Sequence, residues 1–209
     1  DLTLQVLDGI LCHNGEVHNQ SLRVEGEADW DSLAEKQGRI EGGGDALPLT
    51  SEGCVVRCAD SISYLGRDLQ DALEVEIIDD QDLEEFPENC IDLFGITGKE
   101  AFCDINRTVL DVLIRDIIAT SYDSDCIAFS DEASASVAAF KDFNMEHIYL
   151  SPKLRKNEEK IRVMFRYLFD QILDDIEEER EGSPVYVELI NAPWASRRYV
   201  DAARPAELT

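Results

Sequence analysis

"CVVRCADSISYLGRDLQDAL", residues 54–73, decides how the rest of the chain is read. At about 100° per residue, Val55, Ala59, Ile62, Leu69 and Leu73 fall within about 80° of one another, the apolar stripe of a helix that faces a core. Asp60, Tyr64 and Asp68 lie on the opposite side, with Arg57, Arg67 and Asp71 among them. Each four-residue step climbs about 6 Å, so an acid, a phenol and an acid line one ridge about 12 Å long. Most surface helices turn such a face to solvent. A tyrosine between two aspartates is also how a cavity wall presents a ring for stacking beside polar groups.

Outward from this stretch the pattern stays helical. Thr50 or Ser51 caps a helix running to about Glu76. Upstream, "DLTLQVLDGILCH" has a helical apolar repeat and no visible cap, and "DWDSLAEKQ" is a short helix between the loops "NGEVHNQS" and "GRIEGGGDALPLT". Downstream, short helical pieces surround Pro87, and Lys99 to Ser121 reads as one long buried helix. "CIAFS" is a short extended stretch. Ser130 caps a helix that ends near "HIYLSP". Asn157 to Glu179 reads as another long helix, with Ile161, Phe165, Leu168, Ile172 and Ile176 on one side. Its last turn, "EEERE", is acidic where a helix dipole favours cations. "VYVELIN" is expected as a last core-packing helix. No series of alternating strands is present, so the expected class is all-α.

The 209 residues carry 45 acidic against 19 basic side chains, a formal charge of −26. Such a surface repels nucleic-acid backbones and also free nucleotides, so a phosphate-handling site in this chain needs a metal or a local cluster of cations. No apolar run reaches the length of a membrane span, and none resembles a signal peptide. The six cysteines form no CxxC pair, which points to a reducing, cytoplasmic setting. Cys54 and Cys58 read as core packing. His13 and His18 allow two readings: surface histidines, or ligands joining Asp60 at a metal. His147 has no acidic partner at ligand spacing, and Trp30 and Trp194 read as half-buried anchors. "GRIEGGGD" lacks the spacing of a phosphate-binding loop.

The residues Arg57, Ala59, Asp60, Ile62, Tyr64, Asp68 and Asp71 closely resemble the last motif of the HD-domain phosphohydrolases of the dGTP triphosphohydrolase type, roughly R-x-A-D-x-I-x-Y-x-x-x-D-x-x-D. "LTLQVLDGILCHNGE", "INRTVLDVLIRDIIATS" and "AFKDFNMEHIYLSPKLRKNEEK" resemble flanking helices of that family, so the likeness runs to about residue 180. It implies an HD-type helical bundle over 1–180, incomplete at its N-terminus, and a truncated C-terminal extension over 181–209. By the same resemblance Asp60 is a ligand of a divalent metal such as Mg or Mn. Tyr64 packs on the sugar of a deoxynucleoside triphosphate, Asp68 lies near its sugar hydroxyl and phosphates, and Arg107 contacts phosphate. The implied reaction releases deoxynucleoside and tripolyphosphate, in a protein that forms homo-oligomers. Alternatives on the same scaffold are a nucleotide phosphatase or phosphodiesterase, or a noncatalytic nucleotide-sensing or oligomerisation module. The family's first His and adjacent His-Asp pair have no counterpart, since no His-Asp dipeptide occurs in the sequence. The chain is therefore expected to be an internal fragment, inactive by itself.

Overall fold

Thr50 opens the helix that carries the ridge. Its backbone is extended and its Oγ accepts from Gly53 N at 3.0 Å, so one orphan amide of the first turn is satisfied. A computed structural model describes residues 2–14 and 18–191, and Trp194 and most of the expected C-terminal extension lie outside them. The chain divides into two units, Asp1–Lys153 and Leu154–Thr209.

The first unit is helical, as expected. It contains α1 (Leu4–Leu11), α2 (Trp30–Glu41), α3 (Ser51–Ser63), α4 (Leu65–Glu74), α5 (Glu88–Phe94), α6 (Ile105–Ser121) and α7 (Asp131–Asn144). Short 3₁₀ turns cover Asp82–Glu85 and Lys99–Asp104, and a π-helical turn covers Met145–Tyr149. "CIAFS" is extended: β2 (Ile127–Ala128) pairs antiparallel with β1 (Ser21–Leu22), Ser21 opposite Ala128. The core gathers Ile62, Leu69, Ile105, Val109, Leu113, Val137 and Phe140. Phe86 stands edge-on to Phe102, Phe140 and Phe143, with centroids 5.0–5.2 Å apart.

Several expectations need correction. Thr3 does cap α1, its hydroxyl accepting from Val6 N. α2 runs on through Gly38 to Glu41, and Trp30, its first residue, is exposed. Lys99–Asp104 is a 3₁₀ turn leading into α6. The single helix expected from Thr50 to Glu76 is broken by a turn at Tyr64. Two contacts hold α4 in its new direction. A Cβ on Gly66 would lie 2.6 Å from Asn106 Cα, so α4 and α6 touch backbone to backbone there. Asn144 Nδ2 also donates to Leu65 O at 3.0 Å.

The buried stripe is rotated from the one drawn from the sequence. On α3 the inward positions are Cys54, Arg57, Cys58 and Ile62, while Val55 and Ala59 are exposed. Arg57, expected on the polar face, is 2% exposed. Its burial is tolerable because each Nη is bonded: Nη2 to Asp45 Oδ2 at 2.7 Å, and Nη1 to Asp45 Oδ1, Ala46 O and Cys12 O at 3.1–3.3 Å. Asp8 is a second buried charge. It accepts from Leu49 N, Thr50 N and Thr50 Oγ at 2.9, 3.0 and 2.6 Å, tying α1 to the start of α3.

In the second unit α8 (Pro152–Arg155) crosses the boundary, followed by α9 (Glu158–Glu177) and a π-helical segment, Val185–Ile190. Val185 and Ile176 are buried, and Tyr186 OH donates to Ile176 O at 3.4 Å. Ile161, Phe165, Leu168 and Ile172, expected inside, are exposed, because Val185–Ile190 covers only the last turn of α9. Val187 and Leu189 are exposed as well, so this segment packs through Val185 rather than as a core helix.

Candidate functional site

The break at Tyr64 sets the site's shape. Tyr64 ends α3 and starts α4, so Asp60 sits in the last turn of one helix and Asp68 in the first turn of the next. The start of a helix carries partial positive charge and suits a carboxylate. Asp60, Tyr64 and Asp68 all line one cavity of about 700 Å³, large enough for a nucleotide-sized ligand. Tyr64 is 60% exposed and buries little of its ring.

The opposite wall comes from the end of α7 and the π-helical turn after it: Lys141, Asn144, Met145 and Tyr149. One-turn π segments recur at functional sites because they re-aim side chains. Here the turn brings the Tyr149 hydroxyl onto Asp68, to which it donates. Burial, and then this hydrogen bond to a carboxylate, push the Tyr149 phenol well above its ordinary range, so it stays a donor at neutral pH. Asn144 is buried in the cavity floor with its amide fastened to Leu65 O, which links the two walls. His13 and Asn14, just past α1, line it as well.

A second cavity of about 780 Å³ runs between α1 and α3, lined by Val6, Ile10, Val56 and Ala59. His13 and Asp60 line both cavities.

Of the residues singled out by sequence, the structure brings Asp60, Tyr64 and Asp68 together. Arg107 is exposed on α6 and lines neither cavity. His18 does not join Asp60. Its Nε2 is 2.8 Å from Ser134 Oγ, and its ring lies against Phe129. Burial, with Lys141 nearby, lowers its pKa. Among the described residues no group of three His, Cys, Asp or Glu side chains is placed to hold a metal. His147 does have acidic neighbours in space, Asp82 and Glu85 at 3.6 Å each, and it stacks on Phe143. Lys141 and Tyr149 escaped the sequence reading. They lie eight residues apart, a spacing that puts two side chains on one face of a helix, but nothing in sequence signals the π turn or the 81-residue separation from Asp68.

Sequence comparison now bears on this geometry. Residues 127–191 match the phosphohydrolase-associated domain. This chain is similar to phosphohydrolases of the dGTP triphosphohydrolase type. A deoxyguanosinetriphosphate triphosphohydrolase-like protein of Caldanaerobacter subterraneus subsp. tengcongensis is 27% identical over 142 residues, 68% of this chain and 39% of the relative. Proteins of the same description from Clostridium perfringens (strain SM101 / Type A) and Rickettsia rickettsii (strain Iowa) are 28% and 26% identical, over 77% and 84% of this chain and 38% and 50% of the relatives. The chain thus spans about two fifths to one half of the length of these curated relatives. No solved structure matches it.

Proposed function

We propose that the cavity between Tyr64 and Tyr149 is the deoxynucleoside part of the site of a metal-dependent dNTP triphosphohydrolase, the reaction yielding deoxynucleoside and tripolyphosphate. The observation that carries this reading is the convergence of Asp60, Tyr64 and Asp68 with Lys141 and Tyr149 on one cavity. The resemblance of residues 54–73 and the printed names of the relatives support it.

The roles follow from chemistry. The exposed Tyr64 ring offers a flat apolar surface to a sugar or base. Asp68 is an acceptor for a sugar hydroxyl, and the Tyr149 donor beside it keeps that carboxylate oriented. Lys141 is a cation on the wall of the same cavity and suits a phosphate. Asp60 suits one position on a divalent ion, Mg or Mn. The described residues do not fit a complete metal site: a catalytic divalent ion takes about three protein ligands, and among the described residues no group of three His, Cys, Asp or Glu side chains is placed to hold one. No step of hydrolysis is therefore assigned to this chain alone.

That shortage favours a second reading, a module that binds nucleotide without hydrolysing it. Six unpaired cysteines fit a reducing compartment, and we place the protein in the cytoplasm. No helix among the described residues is long and apolar enough to cross a membrane.

Calorimetric titration of the 209-residue chain with dGTP and with deoxyguanosine tests the reading. Both are expected to bind, and Tyr64→Ala to weaken binding by about fivefold or more, in line with about 1–3 kcal/mol for stacking of a base on an aromatic ring. Equal affinity of wild type and Tyr64→Ala would remove the support for a nucleotide pocket. A tripolyphosphate assay with Mn²⁺ or Mg²⁺ separates the readings. Turnover by this chain argues for the enzyme, and binding without turnover is what its ligand shortage predicts.

A further inference from the structure

Seven asparagines occur in the chain, and one of them, Asn14, is followed by glycine. In such a pair the next main-chain nitrogen meets no Cβ on its way to the side-chain carbonyl, so the side chain can close a ring on its own backbone. Asparagine is a thermolabile residue through this chemistry. The fold decides which asparagines react, because ring closure needs a side chain and a backbone that are not already held.

Asn14 meets that condition. It lies past the end of α1, in no helix or strand, and is exposed. Asn89, Asn106 and Asn144 are set in α5, α6 and α7, where the helical backbone is fixed, and the Asn144 amide is also fastened to Leu65 O. The chain's one Asp-Gly pair, Asp8–Gly9, is open to the same ring by sequence. Its fold forbids it: Asp8 is buried in α1, and its carboxylate accepts from Leu49 N, Thr50 N and Thr50 Oγ.

We propose that Asn14 is a site of spontaneous deamidation that switches the charge of the nucleotide cavity. The Gly15 main-chain nitrogen loses its proton to hydroxide and attacks Asn14 Cγ. A C–N bond forms, the Cγ–Nδ2 bond breaks, and Nδ2 takes a proton from water and leaves as ammonia. Water then opens the succinimide. Attack at Cγ leaves aspartate, and attack at the main-chain carbonyl leaves isoaspartate. The sum is amide plus water to carboxylate plus ammonium, with no redox step. Asn14 lines the same cavity as Asp60 and Asp68, whose lining residues include the cation Lys141. The product is a third carboxylate on these walls. A triphosphate meets that added charge and a neutral deoxynucleoside does not. This effect on ligands rests on the nucleotide reading of the cavity, whereas the chemistry at Asn14 does not.

Incubation in mildly alkaline buffer, then peptide sequencing by mass spectrometry, reads the modification. Asn14 is expected to gain the mass of an amide-to-acid change, partly as isoaspartate, while Asn19, Asn89, Asn106 and Asn144 keep their amides. Gly15→Ala, through its Cβ, and Asn14→Gln, through its longer side chain, are each expected to resist conversion. An Asn14 amide that survives as long as those of Asn19 and Asn106 overturns the proposal, as does equal conversion in Gly15→Ala. Calorimetry of Asn14→Asp reads the charge switch. It should bind dGTP at least about fivefold more weakly than the wild type, the equivalent of one charge–charge contact in water, and deoxyguanosine unchanged. Equal loss for both ligands, or none for dGTP, overturns the switch. A wild type that binds neither ligand refutes the nucleotide reading and the switch with it, and the peptide masses still decide the chemistry at Asn14.

Discussion

Removing the Arg57–Asp45 pair tests how the cavity is held in place. Arg57 is buried, and its guanidinium bonds Asp45 through both Nη atoms, at 2.7 and 3.1 Å. It also donates to Cys12 O and Ala46 O, which fixes the end of α1 next to His13 and Asn14, two residues that line the cavity. Arg57→Met keeps the volume and deletes the charge. Two carbonyls lose a donor, at about 1 kcal/mol or more each, while Asp45, about half exposed, turns to water at little cost. The expected loss is about 2–4 kcal/mol. Asp45→Ala leaves a buried cation with carbonyl partners only. Breaking a fully buried pair costs about 3–5 kcal/mol, and the exposure of Asp45 brings this down to about 2 kcal/mol.

The double variant is expected to cost about 1–2 kcal/mol less than the sum of the singles, since the charge stranded by one change is absent from the pair. Urea unfolding followed by circular dichroism measures all four corners of the cycle. Strict additivity, or an Arg57→Met cost under about 0.5 kcal/mol, would show that the guanidinium does not hold α1 to α3. The pair also has a pH signature. Hydrogen bonding from Arg57 lowers the Asp45 carboxyl below its ordinary value. The stabilisation is therefore present above about pH 4, the unfolded value, and is lost as pH falls through the folded one. Asp45→Asn should flatten the acid limb of a stability–pH curve there.

Three further outcomes are expected. Gly66→Ala should cost about 1–3 kcal/mol by chemical denaturation, because its Cβ meets Asn106 backbone at 2.6 Å and α4 and α6 must part; a neutral substitution would mean the two helices are not in backbone contact. Thiol labelling of the native chain should modify the exposed Cys103 fastest and spare Cys12, Cys54, Cys58 and Cys90, whose thiols burial pushes up to about 11 or 12; equal rates at all sites would contradict that packing. Burial lowers the pKa of His18, so the unfolded chain binds the extra proton first, and stability should fall as pH drops below about 6.5; a His18→Phe variant with an unchanged slope between pH 5 and 7 would clear His18 of that role.

The sequence makes the ridge legible because Asp60, Tyr64 and Asp68 are four residues apart and share one face by helical geometry alone. Caps were legible for the same local reason: Thr50 and Ser130 each accept from the amide three residues on. What failed depends on partners distant in the chain. Arg57 reads as polar until Asp45, in a glycine-rich loop, supplies its carboxylate. Gly66 meets the backbone of α6, a contact for which the sequence holds no local signal. Tyr149 reaches Asp68 only through a π turn. The apolar side of α9 was located correctly, but its burial was assumed, and periodicity gives the direction of a face without saying what lies against it.

The electrostatics of the cavity explain why binding and hydrolysis are separable questions for this chain. Its walls carry two carboxylates, Asp60 and Asp68, and the lysine of Lys141, within a protein of net charge −26. A triphosphate adds roughly four negative charges, and at about 4 Å each uncompensated pair costs from about 1 kcal/mol in water to about 4 kcal/mol near a protein surface. One lysine cannot offset that sum, but a deoxynucleoside brings no phosphate and meets only the Tyr64 ring and the Asp68–Tyr149 pair. The described residues are thus matched to the neutral half of the proposed substrate and mismatched to its charged half. Deoxyguanosine should therefore bind this chain at least as tightly as dGTP when no divalent cation is added. A clear preference for dGTP under those conditions would mean that cations other than Lys141 reach the cavity, and that the division of labour inferred from its walls is wrong.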